Sequence, residues 1–187
     1  MTCFSDYLNS IARINCLAPS GSVSDIVWFF HCGMVFSSPH KWWADFKTRK
    51  TAHEGIDITW YAVNNGRLRQ FDENIRVPAM DNGRIVNICD DFLGKTIVVD
   101  HTCSKSAGKR FVFAYAHIIP EKGIEKGSCL KKDQVIAKIC NTVKNPLLAP
   151  HLHFSCIEIE KNTPAGRLDW NLFTSQEKVN LINPVFL

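Results

Sequence analysis

Four histidines and one aspartate in this sequence have the residue types and spacing of a catalytic metal site. They are His53, Asp57, His117, His151 and His153, in the segments HEGID, YAH and HLH. A catalytic zinc site has three protein ligands and one position open for water, whose pKa falls to about 7 when bound. Two imidazoles and one carboxylate could therefore hold the ion, while the other two histidines transfer protons and stabilise an oxyanion.

The segment HEGID favours a β-strand over a helix, because glycine weakens a helix and β-branched Ile56 and Ile58 prefer strands. Side chains alternate between the two faces of a strand. His53 and Asp57 would then share one face, with Gly55 leaving room between them, and both isoleucines would point to the core.

The other three histidines also lie in strand-like runs. His151 and His153 are two residues apart, so a strand would place both side chains on one face. His117 ends an apolar run in which Phe113 and Tyr115 are at alternate positions, and we expect these two residues to face the same way as His117.

Three motifs in this order resemble the lysostaphin-type (LytM-like) zinc metallopeptidases, many of which cut the peptide part of peptidoglycan. HEGID matches the family pattern H-x-x-x-D, YAHI matches the end of its central strand, and PHLHF matches its last motif completely. The resemblance covers residues 51–154 and the closing NPVFL. It includes VPAMDNGRIVNI, GKTIVVDH and LKKDQVIAKI.

The resemblance implies a zinc cofactor bound by His53, Asp57 and His153. It implies that His151 is the general base and that His117 helps to stabilise the transition state. The implied activity is a zinc metalloendopeptidase acting on peptidoglycan peptides or cross-bridges, in the periplasm, the cell wall or outside the cell. Two segments differ from the family: NTVKNPLLA before PHLHF and SPHKWWADFK before HEGID. These would wall the substrate groove, so bond specificity stays open.

Short apolar runs between turn residues predict a mainly β protein with an antiparallel sheet or sandwich. The resemblance specifies the lysostaphin-like (duplicated hybrid motif) fold. The predicted strands are Ile26–Phe30, Ile56–Tyr61, Ile75–Ala79, Arg84–Cys89, Lys95–Asp100, Phe111–His117, Gln134–Ile139 and His151–Ile159. A short helix is predicted over Ser5–Leu17 and a hairpin turn at Asp81-Asn82-Gly83.

Three regions are predicted along the chain. Residues 1–50 form an N-terminal extension, residues 51–160 form the lysostaphin-like metallopeptidase core, and residues 161–187 form a C-terminal tail. The tail carries Trp170, Leu172 and Phe173, which we expect to pack on the core.

The composition argues against a nucleic-acid-binding protein and against a transmembrane helix. The 187 residues carry a net charge of +4 without a dense basic run, which does not support nucleic-acid binding. No apolar run approaches the roughly 20 residues of a transmembrane helix, and no secretory signal is predicted in this sequence. The eight cysteines form no C-x-x-C pair, which favours small buried thiols in a reduced protein, although their even number leaves disulfides open.

The sequence also allows other interpretations. The chain could be a non-catalytic zinc-binding regulatory or binding module on the same fold, or a histidine phosphocarrier of similar architecture. The order His-Glu in HEGID also resembles the start of the zincin motif H-E-x-x-H, with Glu54 as the base, but Asp57 stands where that motif needs histidine. His40 could reach the site as an extra ligand. Three tryptophans, Trp42, Trp43 and Trp60, could line a groove, although core packing is the simpler role.

Overall fold

The computed structural model describes residues 2–64, 66–101, 108–142, 147–175 and 179–187. Its α-helices are α1 (Phe4–Ile14) and α2 (Trp170–Phe173). Its strands are β1 (Ile26–Phe29), β2 (Ile56–Ile58), β3 (Trp60–Val63), β4 (Arg69–Gln70), β5 (Arg76–Pro78), β6 (Gly83–Asp90), β7 (Lys95–Asp100), β8 (Lys109–Pro120), β9 (Cys129–Leu130), β10 (Val135–Ile139), β11 (Leu152–Glu160) and β12 (Asn180–Ile182).

A nine-stranded sheet forms the body of the described chain. Its main path runs β12-β11-β8-β7-β6-β9, with β2 paired to β11 and with β10 paired to both β5 and β8. A smaller sheet has the order β1-β3-β4. All the described strand pairs are antiparallel, which confirms the predicted mainly β, antiparallel fold class.

The main hydrophobic core lies between one face of the large sheet and helix α1. Phe113, Tyr115 and Phe154 point into it from β8 and β11, and the ring of Tyr7 in α1 packs at a tilt against that of Phe154, with the ring centroids 5.0 Å apart. The hydroxyl of Tyr7 donates to the carbonyl of Pro78 at 3.1 Å, so the buried polar atom has a partner. The predicted N-terminal helix is therefore present, and its apolar side fixes it to the sheet.

The opposite face of the same sheet is covered by the C-terminal tail. Val112 and Ala114 alternate with the core-facing residues of β8 and contact Leu168 and Phe173 of the tail. Because strand side chains alternate between faces, a strand covered on both sides is apolar at nearly every position, as β8 is. The divisions at residues 50 and 160 stay predictions; across the first of them, β1 pairs with β3.

Two sequence-based expectations about strands are wrong. The run Ile56–Tyr61 is split, because β2 pairs with β11 in the large sheet and β3 pairs with β1 and β4 in the small one. Thr59 stands at this change of sheet, and its hydroxyl donates to the carbonyl of Pro150 at 2.8 Å.

Asp81-Asn82-Gly83 is also not a hairpin turn. The flanking strands β5 and β6 do not pair with each other; β5 pairs with β10, and β6 pairs with β7 and β9. Long-range contacts hold this corner. The Asp81 carboxylate accepts from the backbone of Thr2 at 3.0 Å, and Nδ1 of His101 lies 3.0 Å from the carbonyl oxygen of Asn82.

The seven described cysteines are all free thiols. Among them Cys156 is buried, whereas Cys16, Cys32 and Cys129 are exposed, so the expectation of buried thiols is wrong for most of them. Within the described ranges, none of the helices has the length and apolar character needed to cross a membrane.

Candidate metal centre

Three side chains bring their potential ligand atoms together beside the junction of β2 and β11. Oδ1 of Asp57 lies 2.8 Å from Nδ1 of His153 and 3.2 Å from Nε2 of His53, and the two nitrogens are 3.0 Å apart. The antiparallel register places Asp57 directly opposite His153. All three residues are at most 5% exposed. The structure therefore gathers the three residues that the sequence motifs assign to zinc.

The approach of HEGID to β11 depends on Gly55. A Cβ atom at this position would collide with the backbone carbonyl of Phe154 and with the hydroxyl of Ser155. His53 precedes β2 rather than lying on it, so the expectation that His53 and Asp57 share one strand face is wrong. The absence of a Cβ lets this segment lie close against β11, where the His53 imidazole lies 3.2 Å from Asp57.

Neighbouring acceptors orient the two imidazoles. Nδ1 of His53 lies 3.1 Å from the carbonyl oxygen of Val35, which can only accept, so Nδ1 carries the proton and Nε2 presents a lone pair. Nε2 of His153 lies 2.8 Å from the hydroxyl of Ser155. The Ser155 hydroxyl can accept a proton from Nε2, and in that tautomer His153 would present the lone pair of Nδ1 to a cation beside Asp57; without a cation, Nδ1–H can donate to Asp57.

The Asp57 carboxylate is held from its other side. Its Oδ2 accepts from the indole N–H of Trp42 at 2.6 Å and lies 3.6 Å from Nη2 of Arg49. Burial alone raises the pKa of Asp57, but the adjacent histidines outweigh burial and hold the pKa well below its ordinary value. Asp57 is therefore ionised at neutral pH, with Oδ1 facing His53 and His153.

His151 lies beside this cluster without joining it. Its Nδ1 is 2.9 Å from the carbonyl oxygen of Ala149, so Nδ1 carries the proton and Nε2, 3.7 Å from Oδ1 of Asp57, presents a lone pair. Its ring packs edge-on against Trp42 with centroids 5.1 Å apart. Burial lowers the pKa of His151 to about 3, so the ring is neutral at pH 7.

His117 reaches the same place through a β-bulge. Its ring centroid is 4.8 Å from that of His151, and its backbone has a φ of +64°. The positive φ breaks the alternation of β8, so Phe113 and Tyr115 enter the core while His117 faces the cleft. The expectation that these three side chains face the same way is therefore wrong. Bulges commonly re-aim a side chain next to an active site.

Four of the five residues, Asp57, His117, His151 and His153, line a cleft of about 310 Å³, and His53 lies behind them against Asp57. The aromatic and apolar walls of the cleft come from both the N-terminal and the C-terminal parts of the chain: Trp43, Phe92, Leu148 and Trp170. Charged groups at Arg49, Glu54, Asp90 and Asp91 complete the lining. A cleft with apolar walls and a few convergent polar groups is the usual form of a substrate site.

The cluster of His53, Asp57 and His153 fits a divalent metal. It is the one His/Cys/Asp/Glu group among the described residues whose ligand atoms lie within 4.8 Å of one another. In the tautomers that the Val35 carbonyl requires of His53 and the Ser155 hydroxyl permits in His153, two lone pairs and one anionic oxygen face each other in a buried space. A cation relieves that repulsion, and nitrogen and oxygen donors of this kind suit zinc.

Comparison with known proteins identifies the family. The sequence profile of peptidase family M23 matches residues 51–165. The chain belongs to peptidase family M23. This confirms the lysostaphin-type family that the three motifs indicate. A search of curated protein sequences gives no match for this M23 chain.

Solved structures similar to this M23 chain have 14–19% sequence identity. The NMR solution structure of lysostaphin has a TM-score of 0.44, with 64% of this chain and 41% of that chain covered. A zinc-containing peptidase from Vibrio cholerae has a TM-score of 0.45, with 75% and 37% covered. The catalytic domain of the prophage-encoded M23 protein EnpA from Enterococcus faecalis has 0.44, with 84% and 94% covered. The chain thus spans about two fifths of the first two, and its family assignment rests on the profile match.

Some of the other residues that the sequence suggested for the site lie at the cleft, and others do not. Glu54 does line the cleft, but residues 53–57 are not helical, so the zincin interpretation is wrong. His40 is exposed, forms a β-bridge with Thr48, and is not among the described residues that line the cleft. Trp42 is buried on Asp57 and Trp43 lines the cleft, which gives the divergent segment SPHKWWADFK a direct part in the site.

Proposed function

We propose that this M23 chain is a zinc-dependent metalloendopeptidase that hydrolyses peptide bonds in peptidoglycan peptides or cross-bridges, outside the cytoplasm. The observation that carries the proposal is the convergence of the five residues in one buried cluster at the floor of a cleft. The orientations of their imidazoles divide them into a metal-binding set and a proton-handling pair.

His53, Asp57 and His153 would hold the zinc ion. When bound, zinc supplies Lewis-acid chemistry that makes water a stronger nucleophile and polarises a peptide carbonyl. The three residues contribute one negative charge in total, because both imidazoles are neutral in the tautomers described above. This leaves the ion with net positive charge toward the cleft.

His151 is the proposed general base. Its Nδ1–H is engaged by the carbonyl of Ala149, so the lone pair of Nε2 is directed toward the Asp57 side of the cluster. A neutral imidazole at this position can take the proton from the attacking water and later give it to the leaving amine. Its edge contact with Trp42 keeps the ring in place.

His117 is the proposed stabiliser of the oxyanion. Its Nδ1 is bound by the Asp91 carboxylate at 3.1 Å, and its ring lines the cleft. With a second proton on Nε2, the ring would form an ion pair with Asp91 and offer that N–H to the negative charge that develops on the carbonyl oxygen.

Digestion of purified peptidoglycan, combined with metal analysis, tests the proposal. We expect the parent protein to retain one zinc per chain and to release new amino termini from the substrate. His151→Ala should keep its zinc and lose turnover, whereas His40→Ala, a control at an exposed histidine, should keep both. Full zinc occupancy with no turnover on a broad panel of muropeptides would instead support the non-catalytic module.

A further inference from the structure

One carboxylate near the cleft accepts five hydrogen bonds. Oδ1 of Asp91 accepts from the backbone of Leu93 and Gly94 at 2.9 and 2.7 Å and from Nδ1 of His117 at 3.1 Å. Its Oδ2 accepts from the backbone N–H of His117 at 2.9 Å and from the hydroxyl of Thr96 at 2.8 Å. The Asp91 side chain is only 2% exposed, so this set of donors replaces water around the charge.

The two bonds from His117 explain how the bulge is held. Ile97 of β7 stands opposite Tyr115, and Lys95 stands opposite Ile118, so one residue of β7 faces two residues of β8. A bulge leaves a backbone group without its ladder partner. Asp91 accepts that N–H with one oxygen and the imidazole of the same residue with the other.

A chain of hydrogen bonds connects this carboxylate to the C-terminal tail. The indole N–H of Trp170 donates to the hydroxyl of Thr96 at 2.8 Å. Because an indole nitrogen can only donate, the Thr96 oxygen accepts there and uses its own hydrogen for Asp91. Trp170 opens helix α2 behind the cap residue Asp169, and its ring lies 5.2 Å from that of His153.

We propose that Asp91 is the positioning residue of His117, and that Thr96 and Trp170 extend this support from the C-terminal tail. Asp91 acts through the histidine and does not touch the substrate. The role rests on the proposed peptidase function, since it concerns the histidine assigned to the oxyanion. An ionised carboxylate can only accept, so it fixes the proton of His117 on Nδ1 and leaves Nε2 toward the cleft.

The charge on Asp91 is consistent with this geometry. Burial raises the pKa of the carboxyl, but the hydrogen bonds and charge of His117 and the backbone bond from Gly94 outweigh burial and hold the pKa well below its ordinary value. An asparagine at this position could accept at one atom only. The amide N–H₂ group would take the place of the second oxygen and would face hydrogen-bond donors that this oxygen now accepts.

Asp91→Asn in the full chain, loaded with zinc, is the central test. We expect kcat on a soluble muropeptide to fall about a hundredfold, within the range of a proton-transfer or electrostatic role, while KM and zinc affinity stay close to the parent values. Nitrogen-15 NMR of the neutral His117 ring should show the proton shared between Nδ1 and Nε2 instead of held on Nδ1. Asp72→Asn is the matched control, because Asp72 also accepts from a backbone N–H two residues ahead, that of Asn74, but lies outside the cleft.

Two milder variants keep the test informative if Asp91→Asn does not fold. Thr96→Val removes two hydrogen bonds of the chain and keeps the size of the side chain, whereas Trp170→Phe removes one and keeps an aromatic ring. We expect both variants to show smaller losses of kcat in the same direction. A merely structural role would lower thermal stability and zinc content without changing the His117 tautomer. Parent-like kcat and parent-like ring signals in all folded variants would overturn the proposal. If the parent shows no turnover, the proposed function fails, and the ring signals alone decide the role of Asp91.

Discussion

Replacing Trp42 by phenylalanine should weaken zinc binding without altering the cleft walls. The indole N–H donates to Oδ2 of Asp57 at 2.6 Å, and Trp42 is 3% exposed. Phenylalanine keeps an aromatic ring against His151 and Trp60, whose centroids lie 5.1 and 5.4 Å from that of Trp42. The variant therefore removes one hydrogen bond to a metal ligand and little packing.

The magnitude follows from the bond that is lost. A hydrogen bond to a charged group contributes about 1.5–3 kcal/mol, and 1.4 kcal/mol corresponds to tenfold in Kd. Zinc affinity should thus fall about 10- to 100-fold, which is the usual effect of removing a partner of a metal ligand. Nη2 of Arg49, 3.6 Å from the same oxygen, is too far for a hydrogen bond but still lowers the cost of leaving that buried charge without its indole partner, which favours the smaller value.

Competition between the metal-free protein and a chromophoric zinc chelator measures this change in Kd. Trp28→Phe is the matched control, because Trp28 packs on Tyr61 and Phe71 in the small-sheet region, and it should bind zinc like the parent. Parent-like zinc affinity in Trp42→Phe would refute the reasoning, because Asp57 would then need no support on Oδ2.

Three further predictions concern the same centre. Gly55→Ala forces a Cβ against the backbone of Phe154, so it should lower both zinc affinity and Tm, with an overpacking cost of about 1–3 kcal/mol. Gly166→Ala is the control, because its Cβ would enter open space and should change neither quantity. Equal zinc titrations of the two variants would contradict this prediction. Glu54→Gln should retain turnover in a muropeptide assay, since Glu54 is not the general base. A loss of about 10²–10⁴-fold would instead indicate that Glu54 is the general base. Zinc at about 100 times its Kd should stabilise the fold by about 2.7 kcal/mol and raise Tm by about 5–10 °C in calorimetry, and an unchanged Tm on adding a chelator would show that the ion is not bound to the folded state.

Local patterns predicted the fold class, and the motif resemblance predicted which three residues come together in the candidate metal site. Strand-like alternation and turn residues are local properties, so the mainly β antiparallel architecture and the N-terminal helix could be predicted from them. The convergence of HEGID with PHLHF came from motif resemblance. Spacing alone placed His53 and Asp57 on one strand face, whereas in the structure His53 precedes β2 and reaches Asp57 where Gly55 lies close against β11.

Non-local contacts determined what the sequence did not predict. The bulge that turns His117 toward the cleft depends on the register between β7 and β8, which no local pattern encodes. Only a weak indication of the role of Asp91 is present in the sequence. Its carboxylate accepts from the backbone N–H groups two and three residues further on, those of Leu93 and Gly94, and such contacts are common for aspartates in loops. Trp42 was predicted only as a residue that could line a groove or pack in the core, and nothing in the sequence indicated its bond to Asp57, which lies fifteen positions further along the chain.

X-ray absorption at the zinc edge on the zinc-loaded protein tests the central claim most directly. We expect one zinc per chain with only nitrogen and oxygen neighbours, at about 2.0–2.2 Å, and loss of that signal in His153→Ala. Sulfur neighbours at about 2.3 Å would place the ion on the free cysteines instead and contradict the assignment of His53, Asp57 and His153.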